Sequence, residues 1–390
     1  FGFIFTFFSS FGQSYFLGLF NSSIRDTLSI THGQFGSIYA SATLFSSVLL
    51  IWVGKKIDDV NIFKFALFVT ILLSFACFFF SKVSSVLLLF IGIFLMRFSG
   101  QGMMSHTAST TISRYFTRTR GRALSISWFG LSFAEFILPV LMVYLLTLVD
   151  WQNLWIIFSI TVLLILPIAS FLLIKNLKLD SREMNDENIK EVEIKQWKRK
   201  EVIKDYRFYI ITLNMLSMPW IFTGFAVFQS FVQTSKGWGP YVIAQSFMSY
   251  SIFSVLTLFL SGFLIDKFTS RKLLIFMNIP LLLSVLILIF FNNPITAFVF
   301  LGLVGISNGF ANILGSSTWA ELYGVKYIGS IKALTTALMV FATAFGTALF
   351  GFLIDIGFSI SDIAVVSGVY ISISLALLFF IRKKLNPVYV

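Results

Sequence analysis

Apolar residues run through this chain in long blocks separated by short polar stretches. A helix needs about 20 mostly apolar residues to cross the hydrocarbon core of a bilayer. Twelve blocks come near that length. The first six cover residues 1–20, 35–53, 65–80, 83–109, 123–148 and 154–174. The second six cover 208–232, 241–265, 273–291, 295–317, 331–354 and 363–381. Between the two sets, residues 175–207 are rich in Lys, Glu, Asp and Asn and cannot stay in lipid. The pattern predicts an all-α polytopic membrane protein in three parts: an N-terminal six-helix bundle (1–174), a charged linker (175–207) and a C-terminal six-helix bundle (208–390). Within the linker, Ile189, Val192, Ile194 and Trp197 loosely fit one face of a surface helix.

The two sets also repeat. One offset of 208 residues joins Gly54 to Gly262, Asp58 to Asp266, Ser99 to Ser307, Tyr115 to Tyr323 and Gly121 to Gly329. A membrane chain that repeats itself halfway along is built from two similar bundles, and such chains usually move something between them.

Composition narrows the class. The chain is 57% hydrophobic and 12% charged, against roughly 25% charged in a soluble domain. Mean hydropathy is +0.90. The net charge of +12 suggests nucleic acid until the charges are placed. With the charged linker included, 25 Lys and Arg fall on one side of the spans and three, Arg25, Lys82 and Lys236, on the other. That imbalance is an orientation signal, and it puts both termini and the linker in the cytoplasm. An even number of spans agrees. The expected location is the bacterial inner membrane. No charged leader or cleavage-site pattern precedes the first block, so no secretory signal is expected, and the missing Met suggests a trimmed N-terminus. Cys77 is the single cysteine, and His32 and His106 are the two histidines, so no metal site and no cofactor are expected. The chain has no G-x-x-x-x-G-K-[ST] string for an ATP-driven pump. It has no nucleophile–base pairing either, so it is not expected to be an enzyme. Trp52, Trp151, Trp155, Trp238 and Trp319 sit near span ends and fit an interfacial belt. Asn21 opens an Asn-Ser-Ser glycosylation sequon.

Twelve spans in two halves, a charged central loop and a Gly-x-x-x-Asp string after the second span of each half resemble the major facilitator superfamily. The family's loop signature reads roughly G-x-x-x-D-[RK]-x-G-[RK]-[RK]. In the second copy, GFLIDKFTSRK (262–272), Gly262, Asp266 and Lys267 match, Thr269 replaces the second Gly, and Arg271 and Lys272 follow one residue late. In the first copy, GKKIDDVNIFK (54–64), Asp59 replaces the basic residue and Asn61 stands where Gly is usual, a residue that tolerates a left-handed turn. MRFSGQGMM (96–104) resembles the family's Arg-then-Gly string through Arg97, Gln101 and Gly102. FGLSFAEFILP (129–139) keeps Gly130 and Pro139 of its Gly/Pro motif. RYFTRTRGRALSIS (114–127) is similar to the organic-anion branch, which includes monocarboxylate and oxalate/formate carriers. That branch often carries a basic residue midway along the eighth span, and residues 246–262 have none.

The resemblance implies a secondary carrier working by alternating access, with solute bound between the halves. Its loop motif implies a conformational latch. Glycine lets helices pack closely, and the Asp can cap a neighbouring helix N-terminus or pair with a basic residue. The candidate latch residues are Gly54 and Asp58 with Arg114, Arg118 and Arg122, and Gly262 and Asp266 with Lys267, Arg271 and Lys272.

Two formal charges fall deep inside spans, Arg97 near the middle of 83–109 and Glu135 near the middle of 123–148. A charge at a helix centre costs roughly 2.5–3.5 kcal/mol on the insertion scale, so each is a functional-site hypothesis. Consecutive spans are antiparallel, which puts both near mid-membrane and makes an Arg97–Glu135 ion pair plausible. Three readings stand: Arg97 holds a substrate carboxylate while Glu135 carries a coupling proton; the pair is a structural lock; or each faces water without a partner. The positions 208 residues on, Gly305 and Thr343, are uncharged, so charge chemistry belongs to the first bundle. His106 is either a proton-exit group or a hydrated span end. In the family the first, fourth, seventh and tenth spans line the cavity. Here they offer Gln13, Ser14 and Tyr15; Gln101 and Ser105; Asn214, Gln229 and Gln233; and Asn308 and Asn312. Gly302, Gly305 and Gly309 read as close packing.

The expected function is secondary transport of a small organic solute, an organic anion first, driven by an ion gradient and coupled to protons as a symporter. The alternatives are a multidrug or metabolite exporter and, in another class, a non-transporting receptor on a transporter scaffold. The expected partners are the solute, protons and lipid, with no nucleic acid, and the expected state is a monomer.

Overall fold

The computed structural model describes residues 1–115, 120–175 and 195–388, with the backbone alone at 58, 113, 114, 120, 121, 266 and 316. Eleven described helices are long and apolar enough to cross a membrane: His32–Val53, Ile62–Phe80, Val86–Ile112, Arg122–Leu145, Trp151–Ile174, Tyr206–Val227, Val242–Ile265, Ser270–Phe290, Ile295–Tyr323, Ile328–Asp355 and Ile360–Lys384. A pair ahead of them, Gly2–Gly18 and Asn21–Leu28, is bent by 66°. Counted as the first span, it brings the total to the expected twelve, and no strand occurs among the described residues.

Polar residues at span starts satisfy backbone N–H groups that a helix leaves open. Thr31 and Gln34 form a reciprocal capping box on the second span, and Ser359 and Asp362 do the same on the twelfth. Asn61 caps the third span, accepting from Phe63 N at 2.9 Å and Lys64 N at 3.3 Å. Its backbone is at φ −55°, ψ 128°, so the left-handed turn expected there is not formed; the side chain serves as a cap instead. Positive φ occurs in the second copy of the loop, at Thr269 (φ 70°, ψ 148°), where the family signature has glycine.

Contacts divide the chain into two compact units. The first holds the described residues of Phe1–Asp180 with Thr223–Met248 and Ala344–Gly357. The second holds those of Ser181–Phe222 with Ser249–Thr343 and Phe358–Val390.

In the first unit, small polar residues join helices that have no hydrophobic effect to drive them together in lipid. Ser74 Oγ donates to Ser159 O at 3.0 Å and Ser159 Oγ to Ser74 O at 2.8 Å, tying the third span to the sixth. Trp155, placed by sequence in the interfacial belt, is instead fully buried among Phe11, Phe16, Phe20, Phe80 and Phe158. Trp52 is exposed, as a belt residue should be. The later segments close on the early ones through backbone. Asn21 Nδ2 donates to Val227 O at 2.8 Å, and its burial removes it as a glycosylation acceptor in this conformation. Asp355 Oδ2 accepts from Thr31 Oγ1 at 2.6 Å and Gly33 N at 2.9 Å, at the start of the second span. A Cβ on Gly351 would lie 3.0 Å from the Cα of Gly33.

In the second unit, Ser307 Oγ donates to Met277 O at 2.6 Å and ties the tenth span to the ninth. Gly305 and Gly309 bring the tenth span onto the eighth, as expected: a Cβ on Gly309 would lie 2.6 Å from the Cβ of Thr257. Trp319, also placed in the belt by sequence, packs in this core against Phe208 and Tyr323 and is 1% exposed. The linker's end and the C-terminal segment seat on the same unit. Trp197 N donates to Tyr323 O at 3.0 Å, Lys195 N to Val388 O at 2.8 Å, and Arg207 Nη1 to Asn386 O at 2.8 Å.

Candidate functional site

The first span does not cross as one helix. Its helix gives way at Ser10–Gly12 to a 3₁₀ turn, Gln13 is extended (φ −81°, ψ 152°), and helix resumes at Ser14–Gly18. Opposite the break, Arg97–Met104 of the fourth span winds as a π-helix. The two irregular stretches meet backbone to backbone. A Cβ on Gly100 would lie 2.6 Å from Gly12 N, and a Cβ on Gly12 would collide with Met96 O and Gln101 N. Glycine is therefore required on both sides.

Broken helix at membrane depth leaves backbone carbonyls that need partners. Arg97 supplies one. Its Nη1 donates to Gly12 O at 3.1 Å and to Ser14 Oγ at 3.2 Å. Tyr39 OH donates to Ser14 Oγ at 3.0 Å, and the guanidinium lies 5.4 Å from the centre of the Tyr39 ring. Arg97 is 3% exposed and its Nε has no partner.

Glu135 is buried in the fifth span. The ion pair expected between Arg97 and Glu135 is not among those formed by the described residues. The opened backbone at Gly12 and the Ser14 hydroxyl draw the guanidinium toward the first span instead. Tyr15, 2% exposed, has its hydroxyl beside Ser10 and within electrostatic reach of Glu135, and packs its ring 5.6 Å from that of Phe247. Gln13 and Gln101 are half-buried near the break, and Ser105 Oγ is buried without a partner.

Other candidates are engaged in packing. His106 Nε2 donates to Gly54 O at 3.0 Å, fastening the fourth span to the end of the second, which is a structural bond at the place where a proton-exit role was considered. Gln229 Nε2 donates to Tyr15 O at 2.8 Å and Ala226 O at 2.9 Å. Asn214 is fully buried in the second unit, its side-chain atoms unpartnered and its carbonyl accepting from Asn278 Nδ2 at 2.7 Å. Asn308 and Asn312 line a cavity of about 200 Å³ in that unit.

Of the candidate latch residues, Arg118 and the side chains of Asp58, Arg114 and Asp266 lie outside the described residues. Arg122 and Lys267 are exposed. Arg271, expected beside Asp266, pairs with Glu321 of the tenth span at 2.9 Å. Glu321 also accepts from Ser270 N at 2.9 Å, so it caps the ninth span where the helix dipole favours a negative charge. Sequence reasoning passed over Glu321 because nothing local distinguishes it from a solvated span end. Gly262 has nothing within 4 Å of an added Cβ, so close helix packing is not what this glycine serves here.

The described residues hold no cluster of three or more metal-ligating side chains. The model of the Major Facilitator Superfamily matches residues 2–347. The chain belongs to the Major Facilitator Superfamily. It is a membrane protein and a secondary carrier of small-molecule solutes, not an enzyme, and its fold is the two-bundle superfamily fold. A bacterial homolog of the human lysosomal transporter Spinster, in an inward-facing, unoccupied conformation, aligns over 98% of this chain and 96% of its own, with a TM-score of 0.72 and 14% identity. The nucleoside transporter NupG aligns over 98% of both chains, again with a TM-score of 0.72 and 14% identity. At that identity the likeness is one of superfamily fold. No curated protein sequence matches.

Proposed function

We propose that this carrier moves a small organic anion by alternating access, coupled to protons, with Arg97 holding the anion and Glu135 carrying the proton. One observation bears the reading. The first unit buries an arginine and a glutamate in its spans, and neither is joined to an opposite charge among the described ion pairs. An unpaired buried charge is costly, and proteins retain one where something else completes it. A carboxylate ligand completes Arg97, whose Nε has no partner. A proton completes Glu135. NupG, which shares the fold, is a nucleoside transporter, so the anion rests on Arg97 alone.

The cation distribution supports cytoplasmic termini in a bacterial inner membrane. Uptake into proteoliposomes, with and without an imposed pH gradient and over a panel of organic acids, tests the reading. Accumulation of at least one acid driven by the gradient, and lost in Arg97→Ala protein that still reconstitutes, is expected. Uptake that ignores the gradient removes proton coupling; uptake retained in Arg97→Ala removes the clamp.

A further inference from the structure

Where the end of the charged linker meets the C-terminal segment, the second unit carries a groove of about 400 Å³, within the size range of ligand sites. Trp197, Lys204, Tyr206 and Lys384 line it, beside the Asp205–Arg207 pair. We propose that this groove binds a phosphate group, namely the headgroup of an anionic phospholipid in the leaflet on the side of the linker and the C-terminus. The inference goes beyond the organic-anion reading and does not depend on Arg97.

The pairing of charges leaves the groove positive. Both acidic residues on its wall are engaged. Asp205 Oδ2 lies 2.8 Å from Arg207 Nη2, and it accepts from Arg207 Nε at 2.8 Å and from Tyr323 OH at 3.1 Å. Glu201 pairs with Lys195 at 3.0 Å. Arg207 turns its remaining nitrogen, Nη1, to the carbonyls of Lys384 at 3.3 Å and Asn386 at 2.8 Å. Its guanidinium is therefore saturated, and it joins the linker side of the groove to the C-terminal side. Lys204 and Lys384 differ. Both are exposed on the wall, and neither enters an ion pair among the described residues. Two ammonium groups over one groove whose acids are already neutralised suit an anion, and lysine binds phosphate as a point charge. Trp197 adds an Nε1–H that is buried without a partner and can only donate.

Position selects the source of the phosphate. Lys204 stands just ahead of the seventh span and Lys384 closes the twelfth, so both lie at the level of the lipid headgroups. Basic groups between spans at that level are suited to anionic headgroups. Tyr206, on the groove wall, and Tyr209, one turn further into the span, share a helix face and are exposed, as is Ile203 beside them. A headgroup seated on the lysines thus has an apolar strip on which its acyl chains can lie. A soluble phosphate has no use for that strip.

Native mass spectrometry tests the proposal on full-length protein in detergent, titrated with phosphatidylglycerol or with phosphatidylcholine of the same acyl chains. Phosphatidylglycerol is expected to bind saturably and about tenfold or more tighter than phosphatidylcholine. Lys204→Gln combined with Lys384→Gln should weaken phosphatidylglycerol by about tenfold or more. Lys272→Gln combined with Lys332→Gln removes two other exposed lysines of the same unit, off the groove, and should change binding by less than about twofold. Melting temperatures check that the variants fold. Should the Lys204/Lys384 double variant fail, its two single variants carry the test, each with an expected loss of about three- to fivefold. Equal weakening by the two pairs reduces the effect to general surface charge and overturns the site. Phosphatidylglycerol binding that loss of Lys204 and Lys384 leaves unchanged overturns it as well. Glycerol 3-phosphate is the remaining arm. If it displaces phosphatidylglycerol at comparable concentration, the groove belongs to a soluble phosphate and the lipid is overturned; no displacement is expected. Solute uptake is not measured, so failure of the organic-anion reading leaves this result standing.

Discussion

Glu321 holds Arg271 across two helices, with 2.9 Å between Oε1 and Nε, and with its other oxygen closes the N-terminus of the span that carries Arg271. One carboxylate thus neutralises a cation and caps a helix, with both side chains only about a fifth exposed. Glu321→Ala removes both functions and leaves a half-buried guanidinium. The expected loss is about 1–3 kcal/mol. A lower melting temperature in detergent, larger for Glu321→Ala than for Glu321→Gln, checks it.

Gly100 and Gly262 should respond in opposite ways to the same added methyl. At Gly100 the methyl meets the backbone of Gly12, which cannot yield without moving the broken first span. At Gly262 it meets open space. Gly100→Ala is expected to destabilise by about 1–3 kcal/mol through overpacking. Gly262→Ala stays within about 0.5 kcal/mol. Parallel melting curves decide, and equal losses would contradict the packing described.

Thr269 sits at positive φ, a region that β-branched residues avoid, at a cost of about 1–3 kcal/mol. Thr269→Gly should raise the melting temperature by relieving most of that cost. Unchanged stability would mean that the loop adopts another backbone.

Tyr39 and Ser14 aim the Arg97 side chain, so they should matter to transport without touching the solute. Tyr39→Phe deletes the hydroxyl but keeps the ring against the guanidinium. It should raise the half-saturating substrate concentration by about three- to tenfold, with less effect on maximal rate. Arg97→Lys keeps the charge but loses the guanidinium, whose Nη1 reaches both Gly12 O and Ser14 Oγ while Nε stays open to a ligand, and it should lower uptake by about tenfold or more. Normal uptake in Arg97→Lys would leave only charge as the contribution of Arg97.

The number and places of the spans were legible because apolar block length is a one-dimensional property that lipid reads directly. The candidacy of Arg97 was legible for the same reason: a charge in an apolar block stands out. Its partner was not. Hydropathy puts Arg97 and Glu135 at similar depth but carries nothing about rotation or about a helix that breaks at Ser10–Gly12. The carbonyl of Gly12 becomes an acceptor only once the fold has opened it. Trp155 and Trp319 were misplaced because nearness to a span end sets depth and leaves the facing undetermined. Asn61 and Thr269, aligned in the two loop copies, solve their turns differently, one as a cap and one at positive φ, and motif spacing alone does not separate those outcomes.

The closure of Val227 on Asn21 and of Asp355 on Thr31 has a consequence for how the protein is made. The early spans enter the bilayer with Gly33 and Asn21 uncovered, and the surfaces that cover them are translated only with the seventh and eleventh spans. A ribosome that stalls before the eleventh span releases a product whose early helices are inserted yet unfinished, a form that membrane quality control should recognise and degrade.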